Sequence, residues 1–521
     1  MSAAAPQALQ TPWLYQPLRR AIRWMLGVFF RRMQVVGDEL VPPGGPLLLV
    51  GNHPNSMLDP AVLLATSQRT VAFAAKDVLF ANPLLRPVLH GVGAVAIRRR
   101  VDADGKVDPN AVQAPERVDN AAAFAALAGH LTTGGAIGIF PEGCSHDEAQ
   151  LQPLKTGAAR VALGACAEQP DVPVQIVPVG LNYSAPRRFR SNVLVRFGPP
   201  IAVGRDWLAR SEADPRKAAR ELTDQIDLAL RALTIQGEDW ESLRVLETVR
   251  RLYQPPGLSL EARVELGRRF AAGYEKVKER PDIQRLFDAV RAFRARLDAI
   301  DLSERDLQAS WNASAVVARF WRRTGPALLL LPLAIPGLLL HGPAALLAWW
   351  IGGTFTPRRD VIATTKLLVG LGLVLLTWLA VGVGLAARWG GLGLAALPLL
   401  PLCGLAALRV MERYADGREV VVSLLHFFRF RAEVAALRRE RRRLEAGVVA
   451  AVTRHLPADL EPLFLEASAA RLGDAATGGV LDWDGRDGDV AAAAMDAQGV
   501  DGAEQRAWMA AFTELLAEEQ P

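Results

Sequence analysis

The sequence predicts an α/β domain with a mostly parallel sheet flanked by helices, followed by a helical region and a C-terminal transmembrane helical region. Three observations support this prediction. Short apolar runs alternate with helical segments between Leu47 and Ile201. The residues after them are polar and have helical periodicity. From Pro326 onward the apolar stretches become long, and about 20 such residues are enough to cross a bilayer.

The composition favours a lipid bilayer as a partner over nucleic acid. Half of the 521 residues are hydrophobic, and the formal net charge is only +5. The basic residues cluster beside apolar segments, a pattern that indicates a membrane surface. Cys144, Cys166 and Cys403 have neither disulfide-like nor metal-binding spacing. We therefore expect a reducing setting that faces the cytoplasm and no nucleic-acid partner.

We predict five regions along the chain. They are an N-terminal amphipathic interfacial helix (1–34), the α/β domain (35–205), a helical accessory region (206–323), membrane-embedded helices (324–410), and a basic helix with an acidic C-terminal tail (411–521). The N-terminal helix is too short and too charged to span a bilayer, so it is expected to lie in the interface. Packing of this helix on the α/β domain is the alternative.

Within the α/β domain, apolar runs bounded by turn residues predict the strands, and longer periodic runs predict the helices. The predicted strands are Leu47–Val50, Val71–Ala75, Val92–Ile97, Ala136–Phe140, Val174–Val179 and Val193–Phe197, and the predicted helices are Ala121–Leu131 and Thr156–Ala167.

The membrane-embedded region contains two clear spanning helices, Lys366–Ala387 and Leu392–Val410, joined by a tight turn. The earlier run, Pro326–Gly352, is interrupted by prolines and by His341-Gly342. Basic residues flank this run on both sides, which favours a shallow hairpin with both ends cytoplasmic over one kinked span.

The stretch Gly51–Pro60 offers a candidate catalytic pair. It follows a buried strand, so its turn delivers His53 at the carboxyl end of that strand, where open α/β sheets bind ligands. Asp59 is six positions after His53, which would put the two about 120° out of phase on one helix, so we expect His53 in the turn and Asp59 in the following helix. A carboxylate on one imidazole nitrogen leaves the other free to act as a base.

Two further strand ends carry polar residues. Arg98, Arg99 and Arg100 leave one strand, and guanidinium groups bind phosphate bidentately, although a solvated loop would also explain them. Glu142 and Gly143 follow another strand. The three motifs recur at the spacing of successive β-α units, so one edge of the sheet is expected to gather a base, a phosphate clamp and a polar anchor. Such a set suits acyl transfer to a phosphorylated alcohol.

At this point the sequence resembles the glycerolipid acyltransferases, the family of glycerol-3-phosphate and 1-acylglycerol-3-phosphate acyltransferases. The resemblance covers about Val35–Ile201. It rests on four blocks in order, which are Asn52–Pro60, Gly93–Arg99, Phe140–Ser145 and Ile176–Val179. Five residues lie between His53 and Asp59 where the family commonly has four, a spacing similar to the branch that also carries C-terminal membrane segments. Cys144 stands where Thr or Ser is usual.

The resemblance implies roles for these residues. His53 would be the general base and Asp59 would orient it. The implied substrate-binding residues are Arg98, Arg99, Glu142, Gly143, Asn55 and Pro178, the last of which would shape the acyl pocket. The acyl donor would be a thioester on coenzyme A or acyl carrier protein, with no metal and no bound cofactor.

The resemblance also implies a function and a location. The chain would acylate glycerol 3-phosphate in phospholipid biosynthesis, as an integral protein of the cytoplasmic membrane with its catalytic domain facing the cytoplasm. Acylation of lysophosphatidic acid is the alternative, because both acceptors need a phosphate clamp. A catalytically dead lipid-binding scaffold is a remote alternative, since a binding role does not require the base.

Overall fold

The computed structural model describes residues 15–76, 121–254, 258–300, 313–429 and 431–455, with single positions at 80, 81, 83, 86, 87, 89, 94–97, 302 and 307. These residues form two compact units. The first contains the chain up to Gln236 together with Thr356–Thr364, and the second contains Gly237–Phe355 and the chain from Thr365 onward. The acidic tail predicted at the C-terminus lies outside the described residues.

The first unit is built on one mostly parallel sheet, as predicted. Its described strands are β1 (Arg32–Val36), β2 (Leu47–Gly51), β3 (Val71–Lys76), β4 (Val95–Ile97), β5 (Ala136–Ile139), β6 (Val174–Tyr183), β7 (Asn192–Phe197) and β8 (Ile201–Val203). Their order is β1-β7-β6-β2-β5-β3-β4, with β8 also paired to β6. Only the pairs β6–β7 and β6–β8 are antiparallel. Five of the six predicted strands are confirmed, and the sixth, Val92–Ile97, is confirmed over its described part, Val95–Ile97.

Strand β2 lies at the centre of this sheet. Parallel β5 and β6 flank it, and Leu47, Leu48, Leu49 and Val50 are completely buried. A strand buried on both faces is apolar at every position rather than at alternate ones, as the sequence of β2 is. The carboxyl ends of β2 and β5 therefore meet at one edge of the sheet.

Helices flank the sheet in the first unit. They are α1 (Tyr15–Phe29), α2 (Leu58–Thr66), α3 (Ala121–Thr132), α4 (Gly157–Glu168), α5 (Arg205–Ala213) and α6 (Pro215–Leu233). The predicted helices α3 and α4 are confirmed. The compact unit extends beyond the predicted end at residue 205, because α6 packs on α4 and β6 and buries Leu222, Ile226 and Leu230 in the same core.

Helix α1 packs on the α/β domain, the alternative that the sequence left open. It lies against α2, and Tyr15 is fully buried with its hydroxyl accepting a hydrogen bond from the backbone N–H of Val71 at 2.9 Å. Its outer face exposes Arg20, Arg23 and Trp24. Strand β1 crosses the predicted boundary at residues 34/35, so the helix and the sheet belong to one unit.

The second unit is helical throughout its described residues. Its helices are α7 (Trp240–Tyr253), α8 (Leu260–Val277), α9 (Pro281–Ala299), α10 (Ala313–Thr354), α11 (Ile362–Trp389, which begins in the first unit), α12 (Gly391–Leu394), α13 (Leu399–Arg429) and α14 (Arg431–His455). The amphipathic helix predicted over Ile283–Leu297 and the tight turn before Gly391 are both confirmed. Gly390 adopts φ 57°, a left-handed value that glycine tolerates well.

The hairpin predicted within residues 326–352 is wrong, because α10 is one continuous helix through its four prolines. His341, at the predicted break, lies inside the helix. Its Nδ1 is 2.9 Å from the Gly337 carbonyl oxygen, and Trp378 of α11 donates its indole N–H to Nε2 at 2.8 Å. Gly337 lets α10 approach the backbone of α13 so closely that a side chain would collide with the Cys403 carbonyl. Neighbouring helices thus stabilise a segment that local signals would break.

Three described helices are long and apolar enough to cross a membrane. They cover Phe320–Thr354, Arg359–Trp389 and Gly391–Ala415, the last of which comprises α12, the turn at residues 395–398 and the first part of α13. Their exposed surfaces are rich in leucine and tryptophan, such as Leu329 and Leu392, which are 85% and 86% exposed. A surface of this kind is expected to contact lipid rather than water.

The packing of α6 generates a stability prediction. We expect Leu222→Ala to lower the free energy of unfolding of the first unit by about 2–5 kcal/mol, because it removes a fully buried side chain. Leu228→Ala on the same helix is the matched control, since Leu228 is 70% exposed and should change stability by less than about 0.5 kcal/mol. Thermal unfolding in detergent measures both. Equal effects of the two substitutions would contradict the assignment of α6 to this core.

Candidate active site

The turn after β2 places His53 at the centre of the sheet's carboxyl edge. Asn52 fixes the start of this turn, because its side-chain amide pairs with both backbone groups of Leu181 on β6, at 3.1 and 2.7 Å. His53 itself is 9% exposed. Ser56, later in the turn, has φ 46°, a left-handed value that costs free energy for a residue other than glycine. The chain then enters α2 with Asp59 in its first turn, as predicted.

His53 and Asp59 are in contact. The distance from His53 Nδ1 to Asp59 Oδ2 is 2.8 Å, and Asp59 is completely buried. Two more donors reach the same carboxylate. The hydroxyl of Tyr183, at the end of β6, donates to Oδ1 at 2.6 Å, and the backbone N–H of Asn55 donates to Oδ2 at 2.7 Å.

These partners indicate which protonation states the pair adopts. Burial raises the pKa of Asp59, and the hydrogen bonds from His53, Tyr183 and Asn55 oppose that rise. A backbone N–H can only donate, and a carboxylate that accepts from three donors is best satisfied when ionised. Burial and the neighbouring charge of Asp59 also raise the pKa of Tyr183, so its hydroxyl keeps its proton. His53 then carries a proton on Nδ1, which leaves Nε2 as the basic nitrogen.

The loop after β5 holds His53 from a second side. The imidazole stacks on Phe140, with ring centroids 4.4 Å apart and planes inclined by 15°. The carboxylate of Glu142 is buried and accepts from the backbone N–H of His53 at 2.7 Å and from that of Gln152 at 2.9 Å. This geometry indicates that Glu142 positions His53. The predicted contact of Glu142 with substrate stays a prediction.

A second histidine, His146, lies in the same loop. Its Nε2 contacts Glu142 Oε2, and its backbone N–H donates to the His53 carbonyl at 3.2 Å. Burial disfavours protonation of this ring, but the hydrogen bond and charge of Glu142, with the charges of Glu148 and Asp360, outweigh that effect and raise the pKa of His146. The turn after β2 and the loop after β5 are therefore joined through both backbone and side chains.

The other predicted site residues have different environments. Asn55 is 1% exposed and donates its side-chain amide to the Pro186 carbonyl at 2.9 Å, so it braces the turn. Gly143 adopts φ 75° beneath the side chain of Lys155, which a Cβ at this position would meet. Arg98 and Arg99 lie outside the described residues. The substrate contacts of all four remain predictions.

Pro178 lies within β6, a central position that proline rarely occupies because it has no N–H. Its place is explained by the neighbouring strands, since β8 pairs with residues up to Ile176 and β7 begins to pair at Val179. Pro178 thus falls in the gap between two partners, where its carbonyl accepts from Gly198 N–H at 2.8 Å. Its predicted role in the acyl pocket stays a prediction.

Sequence analysis missed Tyr183 and His146. Tyr183 is 124 residues away from Asp59, and only the pairing of β6 with β2 brings the two together. The available sequence signal was that Tyr183 lies at the end of a strand, as the other candidate site residues do. His146 lies four residues after Glu142. This spacing predicts a side-chain contact in a helix, but the segment is a loop, so the sequence gave no signal for the contact.

Comparison with known proteins identifies relatives of both units. Residues 32–182 match the family model "Acyltransferase", and residues 245–354 match "Glycerol-3-phosphate acyltransferase 2 C-terminal domain". Glycerol-3-phosphate O-acyltransferase 1 of Saccharomyces cerevisiae is 35% identical over 50% of this chain and 37% of its own length. Glycerol-3-phosphate O-acyltransferase 2 of the same yeast is 39% identical over 36% of this chain and 26% of its own length. An uncharacterized acyltransferase of Schizosaccharomyces pombe is 26% identical over 70% of this chain and 67% of its own length.

The matches to the two Saccharomyces cerevisiae proteins therefore span well under half the length of those relatives. The resemblance predicted from the four sequence blocks is nevertheless confirmed, because the acyltransferase match covers the blocks from Asn52 to Val179.

The raised pKa of His146 generates a prediction about stability and pH. Protonated His146 stabilises the fold fully below its unfolded pKa of 6.5, and this contribution is lost as pH rises through the higher folded pKa. We expect wild type to be more stable than His146→Gln at pH 6, and the difference in Tm to shrink as pH rises.

His130→Gln is a control of opposite sign. Burial lowers the pKa of His130, so wild type should lose stability relative to this variant as pH falls through 6.5. Thermal unfolding across a pH series measures both differences. A Tm difference for His146→Gln that does not change with pH would contradict the assigned pairing with Glu142.

Proposed function

We propose that this chain, a member of the acyltransferase family over residues 32–182, moves a fatty acyl chain from an acyl thioester to the hydroxyl of glycerol 3-phosphate. The single observation that carries the proposal is His53 held by buried Asp59 at the carboxyl end of β2. The names of the two Saccharomyces cerevisiae relatives favour glycerol 3-phosphate as the acceptor. The product would enter phospholipid biosynthesis.

The geometry supports a direct transfer with His53 as general base. Nε2 of His53 has no hydrogen-bond partner among the described residues, so it is available to the acceptor hydroxyl. As that oxygen attacks the thioester carbonyl, Nε2 takes its proton and Asp59 stabilises the imidazolium that forms. The carbon–sulfur bond then breaks, and the proton passes to the leaving thiolate.

The proposed substrates and residues follow from this mechanism. The donor is a thioester of coenzyme A or acyl carrier protein, which supplies an activated acyl group without a bound cofactor. Asp59 and Glu142 act by positioning His53. The proposed residues around the substrates are Glu142, Gly143, Asn55, Arg98, Arg99 and Pro178.

The acceptor test compares glycerol 3-phosphate with lysophosphatidic acid, using purified protein in lipid and labelled acyl-CoA. We expect product from glycerol 3-phosphate. His53→Ala should lower kcat by about 10²–10⁴-fold, the range typical of a general base. His130→Gln is the matched histidine control and should retain activity, because His130 lies on α3.

Each result of this test has a defined meaning. Product from lysophosphatidic acid alone would replace the proposed acceptor and keep the chemistry. Full activity of His53→Ala would remove the general base. No product from either acceptor, with acyl-CoA or with an acyl carrier protein donor, would contradict the proposed function.

The three apolar helices support a proposed place in the cytoplasmic membrane, with the first unit facing the cytoplasm. The chain leaves this unit after Gln236 and returns to it at Thr356. Because both parts belong to one compact unit, we expect Thr356–Thr364 to lie on the same face of the membrane as the rest of the first unit. We further expect α11 and the apolar segment Gly391–Ala415 to form a pair of helices that cross the membrane and return.

Thiol labelling tests this topology. Cys144 is exposed in the first unit, and its labelling in the wild-type protein reports the face on which this unit lies, whereas Cys166 and Cys403 are buried. In sealed vesicles, an impermeant maleimide should label Pro357→Cys from the same face as Cys144, and Trp389→Cys from the other face. The two introduced cysteines are assayed in a Cys144→Ser background. Labelling of Pro357→Cys from the face opposite to Cys144 would contradict the proposed topology.

A further inference from the structure

The segment between α10 and α11 contributes an arginine to the candidate active site. Thr356–Thr364 belongs to the first unit although it connects two apolar helices. Within it, Arg358 donates from Nη2 to the Ser145 carbonyl at 2.7 Å and to the Ser145 hydroxyl at 3.2 Å. Ser145 is buried, and it lies in the loop after β5 that also carries Glu142 and His146.

Asp360 fixes the direction of this arginine. Arg358 donates from Nε to Oδ1 of Asp360 at 3.2 Å and from Nη2 to Oδ2 at 2.7 Å, a two-point contact that orients the planar guanidinium. The side chain of Asp360 is 5% exposed, whereas that of Arg358 is 49% exposed. Asp360 therefore holds the guanidinium of Arg358 in the orientation in which it contacts Ser145.

The loop after β5 needs such an external contact because it forms no regular secondary structure. Residues 140–147 are neither helical nor in a strand. Within this loop, Gly143 N–H donates to the Phe140 carbonyl. Ser145 is next to His146, whose ring contacts Glu142 and whose backbone contacts the His53 carbonyl. A contact at Ser145 thus acts on the groups that hold His53.

We propose that Arg358 is a positioning residue for the acyl transfer, which holds the loop after β5 in the conformation that orients His53. This inference rests on the proposed function, and it assigns to the segment between two membrane helices a part of the catalytic machinery. The first unit is then incomplete without residues 356–364, although its sheet ends at Val203.

A readout that does not depend on activity is available from Cys144. This exposed thiol is adjacent to Ser145, and the other two cysteines are buried. Loss of the Arg358 contact should free the loop and raise the rate at which a small thiol reagent labels Cys144 by several-fold. Arg388→Ala is the matched control, because it changes an arginine in the last turn of α11 and should leave the labelling rate unchanged.

Kinetics provide the second readout. Arg358→Ala should lower kcat by about 10- to 100-fold, since small misplacement of catalytic groups costs rates of this order. The KM for glycerol 3-phosphate should change little, because Arg358 acts through Ser145 and not on substrate. Arg358→Lys should recover part of kcat, and millimolar guanidinium should partly restore Arg358→Ala but not His53→Ala.

Arg358→Ala leaves Asp360 buried without its partner and could prevent folding. The double variant Arg358→Gln/Asp360→Asn removes both charges with side chains of similar size. The same rise in Cys144 labelling and the same loss of kcat are expected from it.

The outcomes separate this inference from the proposed function. An inactive wild-type protein would overturn the proposed function, and this inference would fall with it. An active wild type with unchanged kcat and unchanged Cys144 labelling in the folded variants would overturn the role of Arg358 alone. A rise in KM for glycerol 3-phosphate, with kcat and Cys144 labelling unchanged, would also overturn positioning, because it would place Arg358 on the substrate phosphate.

Discussion

The buried carboxylate of Asp59 is the constraint on which the candidate site depends. Removing an ionised carboxylate from water costs several kcal/mol unless hydrogen bonds replace its hydration. The donors come from the turn after β2 and from β6, and they are His53, Asn55 and Tyr183. Each donor must hold its place for the carboxylate to be satisfied. The hydrogen bonds to Asp59 that orient the imidazole therefore also hold the turn against the sheet.

A second buried carboxylate, that of Glu142, joins the turn after β2 to the loop after β5. It accepts from the backbone N–H of His53, so it acts on the main chain of the residue whose side chain Asp59 orients. His53 is consequently held through both its main chain and its side chain, and its ring packs on Phe140. The parallel pairing of β2 with β5 makes this possible, since it brings the ends of both strands to one edge.

Local sequence signals predicted the strands and the His53–Asp59 pair, because both depend on residues close together along the chain. They could not predict Tyr183 or Arg358, whose partners are distant in sequence and are brought near by the sheet topology and by the return of residues 356–364. The hairpin expected within 326–352 failed for a related reason. Prolines and His341 are helix-breaking or polar signals in isolation, whereas Trp378 and the backbone of α13 supply the contacts that keep α10 continuous.

Arg358 illustrates how one charge can serve two physical requirements. In the sequence it belongs to the basic flank of an apolar run, where positive charge favours the cytoplasmic face of a membrane. In the structure the same guanidinium is half exposed, with one side on Asp360 and Ser145. A purely interfacial arginine has no need of an aspartate that is 5% exposed, because water and lipid phosphates already satisfy it. The buried partner therefore favours a role in the loop after β5 over a role in membrane orientation alone.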